Sequence, residues 1–541
     1  MRTTSFLVLM TIAALGSVEA RERHVYSFEP FAIRIAIGFA QDGDTIIAHP
    51  GTYNESIDFK DKRITVRSLD PEDPAIVSAT ILNGDGVQPC VTIQRSGAMI
   101  AGLTLRNGGL GVRCYAYPAL QQPLIINNVI SPKHSGIVLS GQDPIIIGNT
   151  ISGGDGPGIS VSGSSPLIQQ NTIALNVAAE QYYGGGISIR DSFPIILDNL
   201  ISDNVGNDAG GGIHIHPGDS RSTPVISGNI IAGNSGFIGG GISGGRWGIV
   251  TNNVIADNRA SYAGGGVYRG ALLCGNVITS NSATWGGGVC AYYERLWNNT
   301  IVGNSAVVPH GYYDPMGGGV YCLSQDYDWE GIGVEIRNCI LWGNRSPEGP
   351  QLSVRGGGGG PGPLRASIGS SIIEGGRDAV IVSPLADEFL WLDGNIDAEP
   401  GVIDLGHWHD NDTPNDESDD VFVAGDYRLL PGSPCIDSGG SLEDNAYTEL
   451  IETLPATDIA GLPRIIDGNL DGTATVDIGA YEYLPGDVNY DGKVNVLDLL
   501  LVRNSMGRDP ASSIQARKAD VNADGAVNVQ DLLIVRGRLG R

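Results

Sequence analysis

The sequence has 541 residues, of which 79 are glycine, 41% are hydrophobic and only 17% are charged. Regularly spaced Val, Ile and Leu exclude intrinsic disorder, and the lack of a Gly-X-Y period excludes collagen. A formal net charge of −27 has the wrong sign for nucleic acid or an anionic lipid surface, so neither is an expected partner.

Residues 1–20 have the organisation of an export signal. Arg2 supplies a positive charge, residues 6–15 are apolar, and Val18–Ala20 is a small-x-small cleavage site. This apolar stretch is too short to cross a bilayer, which requires ~20 residues. We therefore predict a mature chain that begins near Arg21, carries no membrane span, and is secreted or held at the cell surface.

A repeated pattern dominates residues 44–375. The word Asn-x-Ile recurs, mostly every 21 to 24 residues, at Asn128, Asn149, Asn171, Asn199, Asn229, Asn253, Asn276, Asn299 and Asn338. A second asparagine follows five residues later at Asn176, Asn204, Asn234, Asn258, Asn281 and Asn304. Three glycines followed by Ile or Val begin at Gly184, Gly210, Gly239, Gly264, Gly286 and Gly317.

Short Ile- and Val-rich runs separated by Asn and Gly are typical of strands and turns, not of helices. A unit of this length with two or three strands predicts one rung of a parallel β-helix, with rungs ~4.8 Å apart. Ile187 and Ile189 should then stack against Ile213 and Ile215, and equivalent asparagines should form an amide ladder. Residues 21–43, with helix-like spacing over 30–40, are predicted to cap the N-terminal end.

The phrase GDTIIAHPGTYNESIDF, which starts at Gly43, and the ordered Asn-x-Ile and Gly-Gly-Gly-Ile words resemble the right-handed parallel β-helix proteins with a pectin-lyase-like fold. The resemblance implies a mainly β solenoid over 44–375. It is weaker for activity, because this fold hosts lyases, hydrolases, epimerases and non-catalytic adhesins.

Residues 376–485 carry fewer repeat words. Residues 407–420 read HWHDNDTPNDESDD, which fits either a solvated acidic loop or a further Ca²⁺ site, and its two histidines also permit a transition metal. The words YRLLPGSPCIDSG, DIAGLPRIIDG and VDIGAYEY resemble the C-terminal choice-of-anchor module of exported bacterial proteins. This resemblance implies a C-terminal cap over 376–485. The seven cysteines form no CxxC pair, and we expect most of them to be buried small hydrophobic residues.

Residues 486–541 hold the clearest chemical motif. Residues 487–498 read DVNYDGKVNVLD and residues 520–531 read DVNADGAVNVQD, the layout of a calcium loop with oxygen donors at positions 1, 3, 5, 9 and 12 and Gly at 6. The first ion is expected to bind Asp487, Asn489, Asp491, the Lys493 carbonyl, Asn495 and Asp498. The second is expected to bind Asp520, Asn522, Asp524, the Ala526 carbonyl, Asn528 and Asp531. Two ions are therefore expected, with folding coupled to Ca²⁺.

This duplicated loop and helix resembles a type I dockerin over 486–541. The resemblance implies a cohesin-type protein partner. In this family, the residues at loop positions 10 and 11, often Ser-Thr, select the partner. In this sequence these residues are Val496-Leu497 and Val529-Gln530. The departure leaves the particular cohesin open.

A catalytic motif is not evident in the solenoid. Alternation after the triple glycines places Ser188, His214, Ser243, Tyr268, Cys290 and Tyr321 in one outward column, with Arg190 and His216 beginning the next. Tyrosines crowd the same edge at positions 182, 183, 262, 292, 293, 312 and 313. Candidate glycan-facing residues are Arg190, His214, His216, Tyr268, Tyr292 and Tyr321, because aromatic rings stack on sugars. Exposed strands also favour tyrosine for structural reasons.

Two functions remain open from the sequence. In the first, the solenoid of a bacterial protein binds an extracellular polysaccharide and cleaves it by lyase or glycoside hydrolase chemistry, and the dockerin delivers the chain to an assembly. In the second, the solenoid is a non-catalytic adhesin or stalk that the dockerin attaches.

Overall fold

The fold is described from a computed structural model. The described residues are 20–94, 97–115, 122–179, 184–208, 210–216, 222–244, 248–270, 272–306, 313–323, 333–355, 365–384, 386, 388–410, 420–440 and 455–540. The predicted signal segment therefore lies outside them, apart from Ala20.

Within these residues, three long parallel sheets of 15, 13 and 13 strands form a β-solenoid. Successive rungs contribute one strand to each sheet in the order A, B, C, except that the first strand, Glu22–Val25, and the last, Glu388–Trp391, belong to sheet A alone. The strands of sheet A are Glu22–Val25, Thr45–Ala48, Thr65–Ser68, Met99–Ala101, Leu124–Ile126, Ile145–Ile147, Leu167–Gln169, Ile195–Leu197, Val225–Ser227, Ile249–Thr251, Leu272–Cys274, Arg295–Trp297, Val334–Arg337, Arg365–Gly369 and Glu388–Trp391. Those of sheet B are Gly51–Tyr53, Thr80–Asn83, Thr104–Arg106, Val129–Ser131, Thr150–Ser152, Thr172–Ala174, Leu200–Ser202, Ile230–Ala232, Val254–Ala256, Val277–Thr279, Thr300–Val302, Ile340–Trp342 and Ile372–Ile373.

Sheet C carries the outward column of residues predicted from the triple-glycine words. Its strands are Ile57–Asp58, Val91–Gln94, Val112–Tyr115, Ile137–Ser140, Ile159–Ser162, Ile187–Arg190, Ile213–Ile215, Ile242–Ser243, Val267–Tyr268, Val289–Ala291, Val320–Leu323, Leu352–Arg355 and Val380–Val382. A fourth parallel sheet, called the side sheet below, contains Val177–Ala178, Val205–Gly206, Ser235–Ile238 and Arg259–Ala263. The parallel β-helix predicted from the repeats is confirmed.

The solenoid core is built from inward-facing aliphatic residues at the same position of successive rungs. Ile187 pairs with Ile213 and Ile189 with Ile215, as predicted, and all four are at most 2% exposed. Because every rung adds the same kind of side chain to the column, burial continues along the whole axis without a separate hydrophobic centre.

Two asparagine ladders run along the rungs at the turns that precede and follow the sheet B strands. Each amide nitrogen donates to the side-chain oxygen of the next rung at 2.9–3.0 Å, from Asn128 to Asn299 in one ladder and from Asn176 to Asn344 in the other. The same oxygen accepts the backbone amide of the neighbouring asparagine, so these buried turn amides are paired.

The last Asn-x-Ile word is not equivalent to the others. Thr300 pairs with Ile340, which aligns Asn299 with Cys339 and not with Asn338. The predicted repeat at 338 is therefore wrong by one residue: the Cys339 sulfur takes the ladder position, followed by the Ser371 hydroxyl. Asn338 instead bonds Gly440 in the C-terminal region.

At the N-terminal end, helix α1 (Ala32–Phe39) covers the first rungs with Ile33 and Ile37 fully buried against the core. Glu55 accepts the backbone amides of Ile33 and Arg34 at its first turn. The Lys62 ammonium donates to carbonyls of its last turn, including that of Ile37 at 2.6 Å. A negative charge at the N-terminus of a helix and a positive charge at its C-terminus both interact favourably with the helix dipole. A second short helix, α2, spans Pro74–Ala79.

The parallel ladders run past residue 375 to Glu388–Trp391, where Phe389 and Trp391 pack on the end of the core. The two antiparallel strand pairs that follow, Val402–Asp404 with Asp426–Leu429 and His407–His409 with Val421–Val423, lie beside the solenoid. Phe422, Tyr427 and Ile478 pack against outward residues of sheet B such as Val302. The C-terminal region thus covers one flank of the last rungs.

Helices α3 (Val496–Ser505), α4 (Ile514–Ala519) and α5 (Val529–Gly537) surround a small apolar cluster that includes Val494, Val502, Val527 and Val535. Short 3₁₀ turns lie at Gly376–Ala379 and Pro510–Ser512. All seven cysteines are free and buried. Across the described part of the chain, no helix has the length and apolar character needed to cross a membrane.

Candidate functional site

The column that alternation predicts on sheet C is aligned by the strand register. Ser188 pairs with His214, His214 with Ser243, Ser243 with Tyr268, Tyr268 with Cys290 and Cys290 with Tyr321. These side chains lie outside the core, but most are covered. A Cβ at Gly184 would collide with His214, and one at Gly239 with Ser243, so the triple-glycine segments lie directly on the column. At Gly239, Gly264, Gly286 and Gly317 the first glycine also has a left-handed φ.

His214 lies at the centre of a polar group on this column. Its Nδ1 is 2.7 Å from the Ser243 hydroxyl, and its Nε2 is buried with no hydrogen-bond partner among the described residues. Burial lowers the pKa of His214 to about 4, and the charges of His216 and Arg190 act in the same direction. The imidazole is therefore neutral at pH 7, and Ser243 is too deeply buried to act as a nucleophile.

Arg190 and His216 lie at the outer end of the same strands. Arg190 is exposed and His216 is half-buried, with its ring 6.0 Å from that of His214. Burial lowers the pKa of His216, and the Arg190 guanidinium adds to the effect. The structure therefore brings Arg190, His214 and His216 together at one edge of sheet C.

A second polar group surrounds Arg269. The Tyr268 and Tyr292 hydroxyls are 3.2 Å apart, and the Arg269 guanidinium lies 4.1 Å from the Tyr292 ring centroid. Burial raises the pKa of both tyrosines. Glu294 is 3% exposed, and burial raises its pKa to about 7 although it accepts the backbone amides of Tyr292 and Tyr293.

The largest aromatic group lies beside this column, and we call it the aromatic platform: Phe237, Tyr262, Trp285, Tyr313 and Tyr321. Phe237 and Tyr262 are stacked at 5.3 Å with an interplanar angle of 4°, and Trp285 stacks on Tyr321 at 5.4 Å. Trp285 also contacts Tyr262 and Tyr313 with centroids 4.8 and 4.9 Å apart. Tyr313 is 48% exposed and Phe237 36%, whereas Tyr321 is buried.

The predicted glycan-facing residues thus divide into two groups along the column. Arg190, His214 and His216 are together, and Tyr268, two rungs from His214, lies with Tyr292 and Tyr321 in the aromatic cluster. Phe237, Trp285, Arg269 and Glu294 were not predicted. Trp285 directly precedes a triple glycine, and this position in the sequence could have indicated that its ring lies near the outward column. Of the predicted tyrosines, those at 182, 183 and 312 lie outside the described residues.

The first calcium loop has the expected backbone. The Asp487 carboxylate accepts the amide of Gly492 at 2.8 Å, and Asn489 and Asp491 accept the amides two residues ahead at 2.9 and 3.1 Å. Asp498 accepts the amides of residues 488, 489 and 495, which turns its carboxylate back over the loop. Burial and the neighbouring Asp498 charge raise the pKa of Asp487 to about 6, so the residues present fit a divalent cation that would offset this repulsion.

The second loop repeats this arrangement. Asp520 accepts the amide of Gly525 at 3.0 Å, and Asp531 accepts those of Asn522 and Asn528. Burial raises the pKa of Asp520. In both loops the position 12 aspartate also completes a capping box at the start of the following helix, α3 or α5.

The helices that follow the two loops expose matching apolar residues. Val496 and Val529 are 63% and 55% exposed, and Leu500 and Leu533 are 41% and 55% exposed. Leu497 is 56% exposed, at the position that Gln530 occupies in the repeat. These loop positions and the turns after them therefore form two similar surfaces.

The acidic segment 407–420 falls mostly outside the described residues, which include only 407–410 and Asp420. His407 and His409 are exposed on their strand, and Asp420 forms an ion pair with Arg345. A metal site there stays a prediction.

Comparisons with known proteins match the solenoid and the C-terminal helical domain separately. Residues 485–540 match the family model of the dockerin type I domain, and residues 75–223 match that of the right-handed β-helix region. No curated protein gives a significant match. Similar solved structures include a complex of XylC with xylose (13% identity, 86% of this chain and 98% of that one, TM-score 0.38) and pectate lyase Pel9A (11%, 87% and 98%, 0.33). Another is a mannuronic acid specific polysaccharide family 6 lyase from human gut microbiota (13%, 70% and 91%, 0.37).

The domain matches and the strand order lead to one assignment: the protein is a right-handed parallel β-solenoid that carries a type I dockerin domain at residues 485–540.

Proposed function

We propose that this chain is an extracellular protein that binds a polysaccharide on the outer face of its solenoid and is held on a cohesin-type partner by its calcium-dependent dockerin domain. The observation that carries the proposal is the pair of calcium loops, each followed by a helix start that exposes apolar residues at the same positions.

Attachment to a protein partner is supported by the apolar residues that the starts of α3 and α5 expose. Neighbouring exposed apolar residues, such as Val496, Leu497 and Leu500 on α3, are typical of a surface that a protein partner covers. The capping aspartates, Asp498 and Asp531, join each loop to its helix, so calcium would fix the direction in which these residues point. The ligand set proposed for the two ions is the one given by the loop pattern, Asp487 to Asp498 and Asp520 to Asp531.

Glycan binding is supported by the aromatic platform. Exposed aromatic rings offer an apolar face to the C–H groups of a sugar, and nearby polar groups can bond its hydroxyls. Phe237, stacked on the half-buried Tyr262, and Tyr313, edge-on to Trp285, supply the exposed rings. Trp285 packs against Tyr262, Tyr313 and Tyr321. Phe237 and Tyr313 replace the predicted Tyr292 and Tyr321 as the proposed contact residues, because Tyr292 and Tyr321 are only 4% and 3% exposed and Tyr321 supports the platform from below.

The second candidate function, a non-catalytic adhesin or stalk, is favoured by the state of the acidic and basic groups. Glu294 is buried and bound to two backbone amides, so it cannot reach a substrate as positioned. His214 is neutral and covered. Only Arg190, at the edge of sheet C, is freely exposed in the group that could assist lyase chemistry.

Binding and cleavage are tested with the full chain on a panel of neutral and acidic polysaccharides. We expect retention on at least one glycan, and Tyr313→Ala should weaken it about tenfold or more through loss of an exposed ring. Phe39→Ala removes a more exposed ring (71%) on the N-terminal helix α1 and should leave retention unchanged.

Reducing ends and unsaturated uronates are measured on the same panel. Their release would favour an enzyme, whereas retention without release would favour the adhesin. No retention on any glycan, or equal losses in both variants, would contradict the proposed binding surface.

A further inference from the structure

A third loop with the calcium-binding pattern lies outside the dockerin domain. Residues 467–475 read DGNLDGTAT, with Asp467, Asn469 and Asp471 at positions 1, 3 and 5, Gly472 at position 6 and Thr475 at position 9. A calcium loop would also require a carboxylate at position 12, but that position is Ile478, which is fully buried. The sequence pattern is therefore incomplete.

The backbone nevertheless follows the two dockerin loops closely. Gly472 donates to Asp467 at 3.2 Å, Asp471 to Asn469 at 2.9 Å and Thr473 to Asp471 at 2.8 Å, which are the three bonds made at the same positions from Asp487 and from Asp520. Position 4 has a left-handed φ in all three loops, 65° at Leu470, 57° at Tyr490 and 52° at Ala523.

Asp437, from a distant turn, occupies the place of the missing carboxylate. In the dockerin loop, Asp498 Oδ1 accepts the amides of positions 2 and 3 and Oδ2 accepts that of position 9. Asp437 Oδ2 accepts the amides of Gly468 and Asn469, positions 2 and 3, at 2.9 and 2.8 Å. Its Oδ1 accepts the amide of Thr475, position 9, at 3.0 Å.

An independent feature indicates a ligand inside this loop. Asp467 Oδ1, at position 1, is buried from solvent and has no hydrogen-bond partner among the described residues. A buried carboxylate oxygen without a donor is costly, and a cation would satisfy it. Within the described part of the chain, no lysine or arginine forms an ion pair with Asp437, Asp467 or Asp471.

From these contacts we infer that Asp467, Asn469, Asp471, the Thr473 carbonyl, Thr475 and Asp437 form a third Ca²⁺ site. Six oxygen donors around a loop of this shape suit a hard cation of that size. The site is separate from the two dockerin loops and from the glycan surface, so it does not rest on the proposed function.

Such a site would join two segments of the C-terminal region. The turn that holds Asp437 is tied to the solenoid through Gly440, whose amide donates to Asn338 at 2.8 Å. Calcium between Asp437 and the loop at 467–475 would therefore fasten this region to the last rungs.

The test uses the full chain and calcium itself, with bound ions counted by equilibrium dialysis and affinities measured by isothermal titration. The wild-type chain should bind three ions. A chain with both dockerin loops disabled by Asp487→Ala and Asp520→Ala should still bind one.

In that background, Asp437→Asn should weaken the remaining ion by at least about tenfold. Because Asp437 also organises the loop backbone, Asp471→Ala provides a second variant at an exposed ligand, and it should weaken the ion in the same direction. Asp393→Asn, an exposed carboxylate elsewhere, should have no effect. A dockerin-disabled chain that binds no calcium, or one whose affinity is unchanged by Asp437→Asn and Asp471→Ala, would overturn the inference.

Discussion

The asparagine ladders allow a quantitative test of how this solenoid is held together. Asn253 is fully buried, and its side chain can make four hydrogen bonds. Its two amide hydrogens are shared among three acceptors, which are the Ile226 carbonyl, the Thr251 carbonyl and the Asn276 side chain, at 2.9–3.0 Å from the amide nitrogen. Its oxygen accepts the backbone and side-chain amides of Asn229 at 2.9 and 3.0 Å. Asn253→Ala removes these four bonds and leaves the Asn229 amide buried without its acceptor.

The expected cost follows from burial. A lost hydrogen bond costs about 1 kcal/mol on average, and a buried group left unpaired costs about 1–3 kcal/mol. Four lost bonds and one unpaired amide therefore give about 5–7 kcal/mol. The matched control is Asn83→Ala, because Asn83 bonds Asn54 and Asn107 in the same amide-to-amide manner but open to solvent. Water can replace those bonds, so we expect less than about 1 kcal/mol.

Native-state hydrogen exchange measures this locally, which matters because a long solenoid does not unfold as a single unit. In Asn253→Ala the opening free energy of amides in the rungs around Asn229 should fall by the amount given above, while rungs near Asn128 stay protected. If Asn253→Ala and Asn83→Ala reduce protection equally, burial does not make the ladder hydrogen bonds more stabilising than exposed ones.

Three further predictions concern calcium, pH and the C-terminal region. Chelation should unfold α3 and α5 and leave the solenoid folded, because calcium at about 1,000 times its Kd contributes about 4 kcal/mol to the stability of the domain that binds it. Far-UV circular dichroism should then show loss of helix signal while the strand signal is retained. The pKa of Glu294 is raised from 4.5 to about 7, so the folded chain holds a proton that the unfolded chain loses, and the contribution of Glu294 to stability is greatest below pH 4.5 and is lost as pH rises through about 7. Glu294→Gln should remove about 3 kcal/mol of this pH dependence, read as the difference between urea titrations of the two chains at pH 4.5 and 8. Asn338→Ala should increase proteolysis within 420–485, because Asn338 makes two side-chain bonds to Gly440, whereas Asn54→Ala should not.

The fold was largely predictable because one local rule repeats. Inward Ile and Val residues, turn asparagines and glycines recur in the same order, so each rung confirms the register of the next, as Ile187 and Ile213 show. The exception is instructive. At Asn338 the word is present, but the strand register places Cys339 in the ladder, and a sulfur or hydroxyl can replace an amide there.

The functional surfaces were less predictable, because they combine residues from different rungs and insertions. Alternation gave the outward column correctly, yet it could not show that the glycine segments and the side sheet cover His214 and Tyr321. The platform formed by Trp285 and Phe237 depends on how separate turns pack together. Asp437 is a similar case, since a ligand supplied from 30 residues before the loop (437 against 467) has no fixed spacing to read.

Binding of the full chain to immobilised type I cohesins shows whether calcium shapes the dockerin domain for a protein partner. We expect capture by at least one cohesin in millimolar calcium, reversal by chelator, and loss in a chain carrying both Asp498→Asn and Asp531→Asn. Capture that persists in chelator, or calcium-loaded chain that no cohesin retains, would mean that calcium does not prepare this domain for a partner.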